Sequence, residues 1–329
     1  MQFIARRLIF YVVAIWVAIT ANFFIPRAMP GNAAEAMMSK FPSLLPSAYK
    51  ALQAEFGVGH AGSLLHQYGT YLVDIAHGNF GVSSSEYPAR VSTLLVETIP
   101  WTLLLVGTAT VISFLLGTSL GILAAWRRGG WFERVLPVFA FFQAIPYFFL
   151  ALLAVYLVAI RVHWFPEQLG YTGGTGLIPG WHWGFIESAL YHSVLPAFTI
   201  VITSMAGWML QMRNVMITTI GEDYVLAAQA KGLSSRRVIM TYAARNAILP
   251  NISGFALSLG FVVSGALIME IVFSYPGVGL LLFNAVTSDD YPLMQAIFLV
   301  ISLAVVFANL LADVVYVIAD PRTRIQATA

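Results

Sequence analysis

Cysteine is absent from the 329-residue sequence, which removes disulfide frameworks, thiol nucleophiles and cysteine-ligated metal centres at once. Charge is scarce too: only 10% of residues are Asp, Glu, Lys or Arg, against roughly a quarter in soluble domains. There is no G-x-x-x-x-G-K-[S/T] loop to cradle the phosphates of a nucleotide, so the chain has no evident means of holding ATP. Nor is there an HExxH pair, a serine in a G-x-S-x-G context, or two carboxylates close together in an apolar run. The six histidines, His60, His66, His77, His163, His182 and His192, lack metal-ligand spacing and read as solvated or interfacial side chains. These absences argue against an enzyme, and neither a catalytic nor a metal-ligating residue is assigned.

What the sequence has in quantity is hydrocarbon. Hydrophobic residues make up 59% of the chain, and the mean hydropathy of +0.80 is that of an integral membrane protein. Apolar runs at 8–25, 100–126, 135–160, 194–210, 252–273 and 293–318 are each about long enough to cross ~30 Å of hydrocarbon as a helix. The first follows Arg6 and Arg7; its length and the later runs make it a span in preference to a cleavable leader. Pro137 and Pro146 fall inside the third and predict a kink.

Between the first two runs, residues 29–97 are mixed and glycine-punctuated, which predicts an extra-membrane subdomain with amphipathic helices at 47–56 and 64–77. Trp164, Trp181 and Trp183, in a polar and aromatic stretch after the third run, suit an interfacial belt, with stacking on a ligand as the alternative. The division expected is therefore 1–28 (N-terminus and first span), 29–97 (external subdomain) and 98–329 (five further spans). The basic residues are spread between spans, as topology signals are, and do not suggest nucleic acid. Six spans put both ends on one side, and twelve Lys and Arg lie on that face against five on the other. This positive-inside bias makes both termini cytoplasmic.

The longest polar segment of the C-terminal half, EDYVLAAQAKGLSSRRVIMTYAARNAILP at 222–250, falls on the same face. Its six charges, Glu222, Asp223, Lys231, Arg236, Arg237 and Arg245, would cost on the order of 15 kcal/mol in hydrocarbon, at ~2.5 each, so it lies in water or against protein. Two short helices around a break are expected. Gly232 supplies positive φ, and Ser234 or Ser235 caps the second helix by accepting a bond from a free backbone N–H.

Ala227 and Ala228, Gly232 and Ile248-Leu249-Pro250 resemble the EAA signature of permease subunits in binding-protein-dependent ABC importers, in particular the dipeptide, oligopeptide and nickel branch. Leu226 stands where the general signature has Glu, and the Gly-to-Pro interval is longer than in sugar-type permeases; both departures are usual in the peptide branch. GNFGVS at 78–83, FSYPGVG at 273–279, DYPLMQ at 290–295 and DPR at 320–322 extend the resemblance over nearly the whole chain.

The resemblance implies an all-α type I ABC importer permease fold with six transmembrane helices and an external helical insertion after the first. It implies the first permease of a pair, lining a pathway across the cytoplasmic (inner) membrane of a bacterium or archaeon. Implied partners are a second homologous permease, two cytoplasmic ATPases that bind ATP and Mg, an external substrate-binding protein and the lipid bilayer. This chain itself binds no cofactor and no nucleic acid. The ATPase-coupling residues implied are Glu222, Asp223, Tyr224, Ala227, Ala228, Lys231, Gly232, Leu233 and Arg237. The two alanines are expected to let a helix approach an ATPase closely. Glu270 and Asp313 are candidate pathway residues, because ionisable groups near the membrane interior are costly unless used; a structural role is open for both. Peptide is the expected substrate, with cello-oligosaccharides and nickel as alternatives within the family. A self-contained secondary transporter or channel is the alternative outside it.

Overall fold

The computed structural model describes residues 2–28, 63–127, 129–173, 177–262 and 267–319. The helix expected at 47–56 and the terminal Asp320-Pro321-Arg322 lie outside them. The regular structure of the described residues is helical, and the only strand-like feature among them is an isolated bridge between Val82 and Arg90. We number the helices α1 (Gln2–Ala28), α2 (Leu64–Ala76), α3 (Val91–Trp126), α4 (Trp131–Ala144), α5 (Tyr147–Arg161), α6 (Trp183–Ile220), α7 (Asp223–Ala230), α8 (235–247), α9 (Leu249–Val262), α10 (Leu267–Val272), α11 (Val278–Thr287) and α12 (Tyr291–Ala319).

Three helices, Val91–Trp126, Trp183–Ile220 and Tyr291–Val314, are long and apolar enough to cross a membrane, and a fourth if the bent pair α4 and α5 counts as one span. The apolar stretches in α1 (Ile9–Ile25) and α9 are shorter. On α3, Val111, Ile112, Leu115 and Leu116 are all exposed. A contiguous apolar surface of this kind belongs in lipid or against another protein.

Several boundaries differ from the apolar windows. α3 starts at Val91, so part of the stretch assigned to the external subdomain is already helix; it continues past Pro100 into a π-helical turn at Leu103–Gly107. A proline that withholds a backbone donor commonly accompanies such a register change. α6 has 38 residues, about 57 Å at 1.5 Å each, so its apolar window marks only the middle of a rod nearly twice the thickness of the hydrocarbon.

The third apolar run is no gently kinked span. α4 and α5 meet at 95° across Ile145 and Pro146. Ile145 is extended (φ −78°, ψ 126°), the conformation that a following proline imposes, whereas Pro137 is accommodated inside α4.

The chain folds as two compact units. The first comprises Met1–Thr102, Val263–Ile271 and Pro276–Phe307. Its core joins Val91 and Leu95 of α3 to Val278 and Ala285 of α11 and to Leu293, Met294 and Ile297 of α12. The fully buried ring of Phe23 on α1 packs at 5.1 Å from Tyr68 and 5.4 Å from Tyr71 of α2, with a Thr20–Tyr68 hydroxyl bond of 2.7 Å beside them. α2 forms where the sequence predicted it, with Ser63 accepting a bond from the His66 amide at its start.

The second unit comprises Leu103–Val262, Val272–Tyr275 and Ala308–Ala329. Here α3 and α6 cross at Gly117 and Gly121. A Cβ on Gly117 would lie 2.5 Å from the Met205 carbonyl oxygen, and one on Gly121 2.6 Å from that of Met209. Only glycine permits this approach, the small-xxx-small arrangement of membrane helices. Asn251 of α9 ties the pair by donating to Thr118 Oγ1 and to the Trp208 carbonyl, both at 3.2 Å.

Candidate functional site

The close crossing of α3 and α6 carries the polar segment. At its far end, buried Ala125 of α3 and Met212 and Met216 of α6 form a cluster with Val225 and Ala228 of α7 and with Val238, Ala243, Ala244 and Ala247 of α8. Five of these nine are alanines, which is what lets two short helices lie flush on the ends of two long ones.

α7 closes on itself at its C-terminus. The amide of Gly232 donates to Gln229 O (2.9 Å) and that of Leu233 to Ala228 O (3.4 Å), with Gly232 at φ +72°. These two bonds around a left-handed residue form a Schellman motif, and half-buried Leu233 supplies its apolar contact by packing on the cluster. The break at Gly232 is thus the one the sequence called for. Ser234 does occupy the cap of α8, but its side chain makes no capping bond. Its carbonyl oxygen instead accepts from the amides of Arg237 (2.9 Å) and Val238 (3.0 Å).

The residues attributed to coupling divide between two faces. Glu222, Asp223, Tyr224, Ala227, Lys231, Gly232 and Arg237 are exposed, whereas Ala228 is 3% exposed and points into the chain's own core. The expectation that both alanines meet a partner therefore needs correcting. At ~100° per residue Val225 and Ala228, three positions apart, share the inward face of α7, and Ala227 is turned away from it. The side chains that α7 turns outward include Tyr224 (41% exposed), Leu226 (48% exposed) and Ala227, spread around the helix away from Val225 and Ala228.

Glu270 occupies a different setting, within the first unit. It is fully buried on α10, and its carboxyl group accepts from Thr102 Oγ1 (2.8 Å), the Gly279 amide (2.6 Å) and the Leu280 amide (3.2 Å). Thr102 Oγ1 accepts in turn from the Val278 amide at 2.8 Å. Together Glu270 and Thr102 satisfy the first three amides of α11, which no intrahelical bond can reach. The glycines of FSYPGVG make room for this: a Cβ on Gly277 would overlap the carboxyl group, and one on Gly279 would lie 2.8 Å from Glu270 Oε2. Of the roles left open for Glu270, this geometry supports the structural one. Asp313 sits half-buried on α12.

Asp290, not singled out from the sequence, is likewise fully buried. One oxygen accepts from Ser83 Oγ (2.5 Å), Ser85 N (2.9 Å) and Ser85 Oγ (2.7 Å), and the other from Leu293 N (3.1 Å) at the start of α12. The GNFGVS and DYPLMQ phrases are thereby two halves of one contact, joining Ser83 and Asp290, 207 positions apart. Gly117-x-x-x-Gly121 seats the polar segment, and its spacing alone is a readable signal of close helix approach.

Residues 117–325 match the model of the family described as "Binding-protein-dependent transport system inner membrane component". The chain belongs to this family. A relative in Brucella suis biovar 1 is 33% identical over 304 residues, 92% of each chain. The oligopeptide transport system permease protein AppB of Bacillus subtilis is 30% identical over 303 residues, also 92% of each. The dipeptide transport system permease protein DppB of Escherichia coli K12 is 31% identical over 344 residues, covering 98% of this chain and 99% of that one. The chain is accordingly a multi-pass membrane permease component of a binding-protein-dependent transport system, and the α7–α8 segment lies inside the matched region.

Proposed function

We propose that this chain is one of two homologous permeases of an ATP-driven peptide importer, and that α7, the Gly232 turn and the start of α8 receive a cytoplasmic ATPase. The observation that carries this reading is the two-sided build of α7. Its inner face is fixed to both long helices by Val225 and Ala228, so a push on its exposed side chains, Tyr224, Leu226 and Ala227 among them, reaches α3 and α6 without loss in a flexible loop.

Six spans follow if α1, α3, the bent pair α4–α5, α6, α9 with α10, and α12 each cross once. The basic-residue bias then favours both termini and α7 inside, with residues 29–97 outside beside the binding protein. ATP and Mg belong to two separate ATPase subunits, since the sequence has no phosphate loop. Peptide is favoured over cello-oligosaccharide or nickel because relatives aligned over nearly their full lengths are named for dipeptide and oligopeptide transport. ATP-driven closure of the ATPases would then open the permease pair toward the binding protein, as alternating access requires.

Purification of the native complex tests the whole proposal. Two ATPases and a second permease should accompany the chain, and vesicles loaded with ATP should take up peptide delivered by the binding protein. Reporter fusions after Arg128 and Arg237 should report the cytoplasm, and those at Ser84 and Gly174 the outside. A complex without ATPase subunits, or an external signal at Arg237, would refute it.

A further inference from the structure

The second unit contains a cavity of about 510 Å³ whose walls come from four helices. Its polar lining is the hydroxyls of Thr110 and Ser113 on α3, Ser204 on α6 and Ser258 on α9, together with the amides of Gln143 on α4 and Gln211 on α6. No ionisable side chain lines it among the described residues. Gln143, Ser204 and Gln211 are exposed. Two glutamines and a serine turned toward lipid would be poorly solvated, so this wall faces water or a hydrogen-bonding solute.

Its depth agrees. Ser204 lies inside the apolar run at 194–210 and Gln211 directly follows it, so the wall lies within and at the edge of the hydrocarbon layer.

The wall is also rigid. Trp208, one helical turn from both Ser204 and Gln211, has its ring edge-on to Phe114 at 5.5 Å, and Phe114 stacks on Phe255 at 4.3 Å. A Cβ on Gly254 would lie 3.2 Å from the Trp208 ring, so the indole is held on this side too. Three of the hydroxyls are oriented: Thr110 donates to Val106 O (2.6 Å), Ser113 to Thr110 O (2.9 Å) and Ser258 to Phe255 O (2.7 Å). Their remaining lone pairs offer acceptors, while each glutamine amide offers two donors and one acceptor.

We propose that this cavity is the chain's contribution to the wall of the translocation pathway, and that it takes a peptide through its backbone amides. The inference rests on the peptide-importer reading above. An uncharged donor and acceptor surface pairs with any peptide backbone, and it holds neither a terminus nor a charged side chain tightly enough to stall passage. Selection by side chain is then left to the binding protein.

The assembled complex in proteoliposomes tests this. The chain has no cysteine of its own, so Ser204→Cys and Gln211→Cys each introduce a unique thiol into it. Both should react with a membrane-impermeant thiol reagent, from one side in the resting complex and from the other when ATP is trapped. Transport itself is read with neutral, lysine-containing and glutamate-containing tripeptides at saturating loaded binding protein. The Gln143→Glu/Gln211→Glu variant should raise the ratio of lysine-peptide to glutamate-peptide uptake by about tenfold over wild type, because two carboxylates on the pathway wall attract a cationic side chain and repel an anionic one. The proposal is overturned if neither thiol reacts in any state, or if that variant and Gln143→Leu/Gln211→Leu both import all three peptides at wild-type rates. If the thiols alternate in a complex that imports no peptide of any charge, the peptide reading falls, and the backbone-recognition claim falls with it.

Discussion

Gly277 and Glu270 provide a double-mutant test of what the buried carboxyl group does. Gly277 is extended (φ −95°, ψ 179°), a conformation open to any L residue, so Gly277→Ala carries no backbone strain. Its cost is steric, because all three nearest neighbours of the added Cβ are atoms of the Glu270 carboxyl group. Displacing that group strips acceptors from the Gly279 and Leu280 amides and from Thr102. Each buried donor left unpaired costs about 1–2 kcal/mol, so Glu270→Ala should destabilise by about 3–5 kcal/mol once lost packing is included. Gly277→Ala alone should cost about 2–3 kcal/mol.

In the Glu270→Ala background the obstacle is gone, and adding Gly277→Ala should cost nearly nothing, giving a coupling of about 2 kcal/mol. Glu270→Gln keeps one acceptor for the two amides and should lose only about 1–2 kcal/mol. The assay is the denaturation midpoint of the purified complex in an SDS titration, with uptake measured in parallel. An additive cycle, or a Glu270→Ala complex as resistant as wild type, would refute the account of Glu270 as the N-terminal anchor of α11.

Three further outcomes are expected. Ala227→Trp should leave the chain inserted and as stable as wild type but abolish binding-protein-stimulated ATPase activity, whereas Ala228→Trp should fail in stability first, by overpacking of about 3 kcal/mol; denaturation and ATPase assays on both variants separate the faces. Gly232→Ala should cost only about 1 kcal/mol, because a Cβ there meets nothing within 4 Å and the penalty is the left-handed backbone alone, while Gly232→Val should cost up to ~3 kcal/mol and reduce coupled ATP hydrolysis. Gly121→Leu should separate α3 from α6 and lower both the denaturation midpoint and uptake, whereas Leu116→Ile, on an exposed position of α3, should change neither.

The sequence by itself determined the solvent this protein lives in, the family, and the positions where the chain must break. Composition, runs of apolar residues and the conformational limits of proline and glycine are local properties, legible without knowing what lies opposite. Hence the helix at Leu64–Ala76, the reversal at Gly232 and the interruption near Pro146 could all be read, although the angle at Pro146 could not. Which face of each helix points inward was not legible. In a membrane helix the packed face and the lipid face are both apolar, so periodicity carries little information, and Ala227 and Ala228 looked alike until α7 was seen seated on Met212 and Met216.

The carboxylates show the same limit. Glu270 reads as a lone acid in a span, and nothing in the sequence marks Asp290 as buried. Their partners Thr102 and Ser83 stand 168 and 207 positions away in the chain, and only folding brings them within hydrogen-bond reach. The polar cavity is assembled in the same way, from one or two unremarkable hydroxyls or amides on each of four helices. No single helix is polar enough to draw notice, and the convergence that makes a wall of them is a property of the tertiary structure alone.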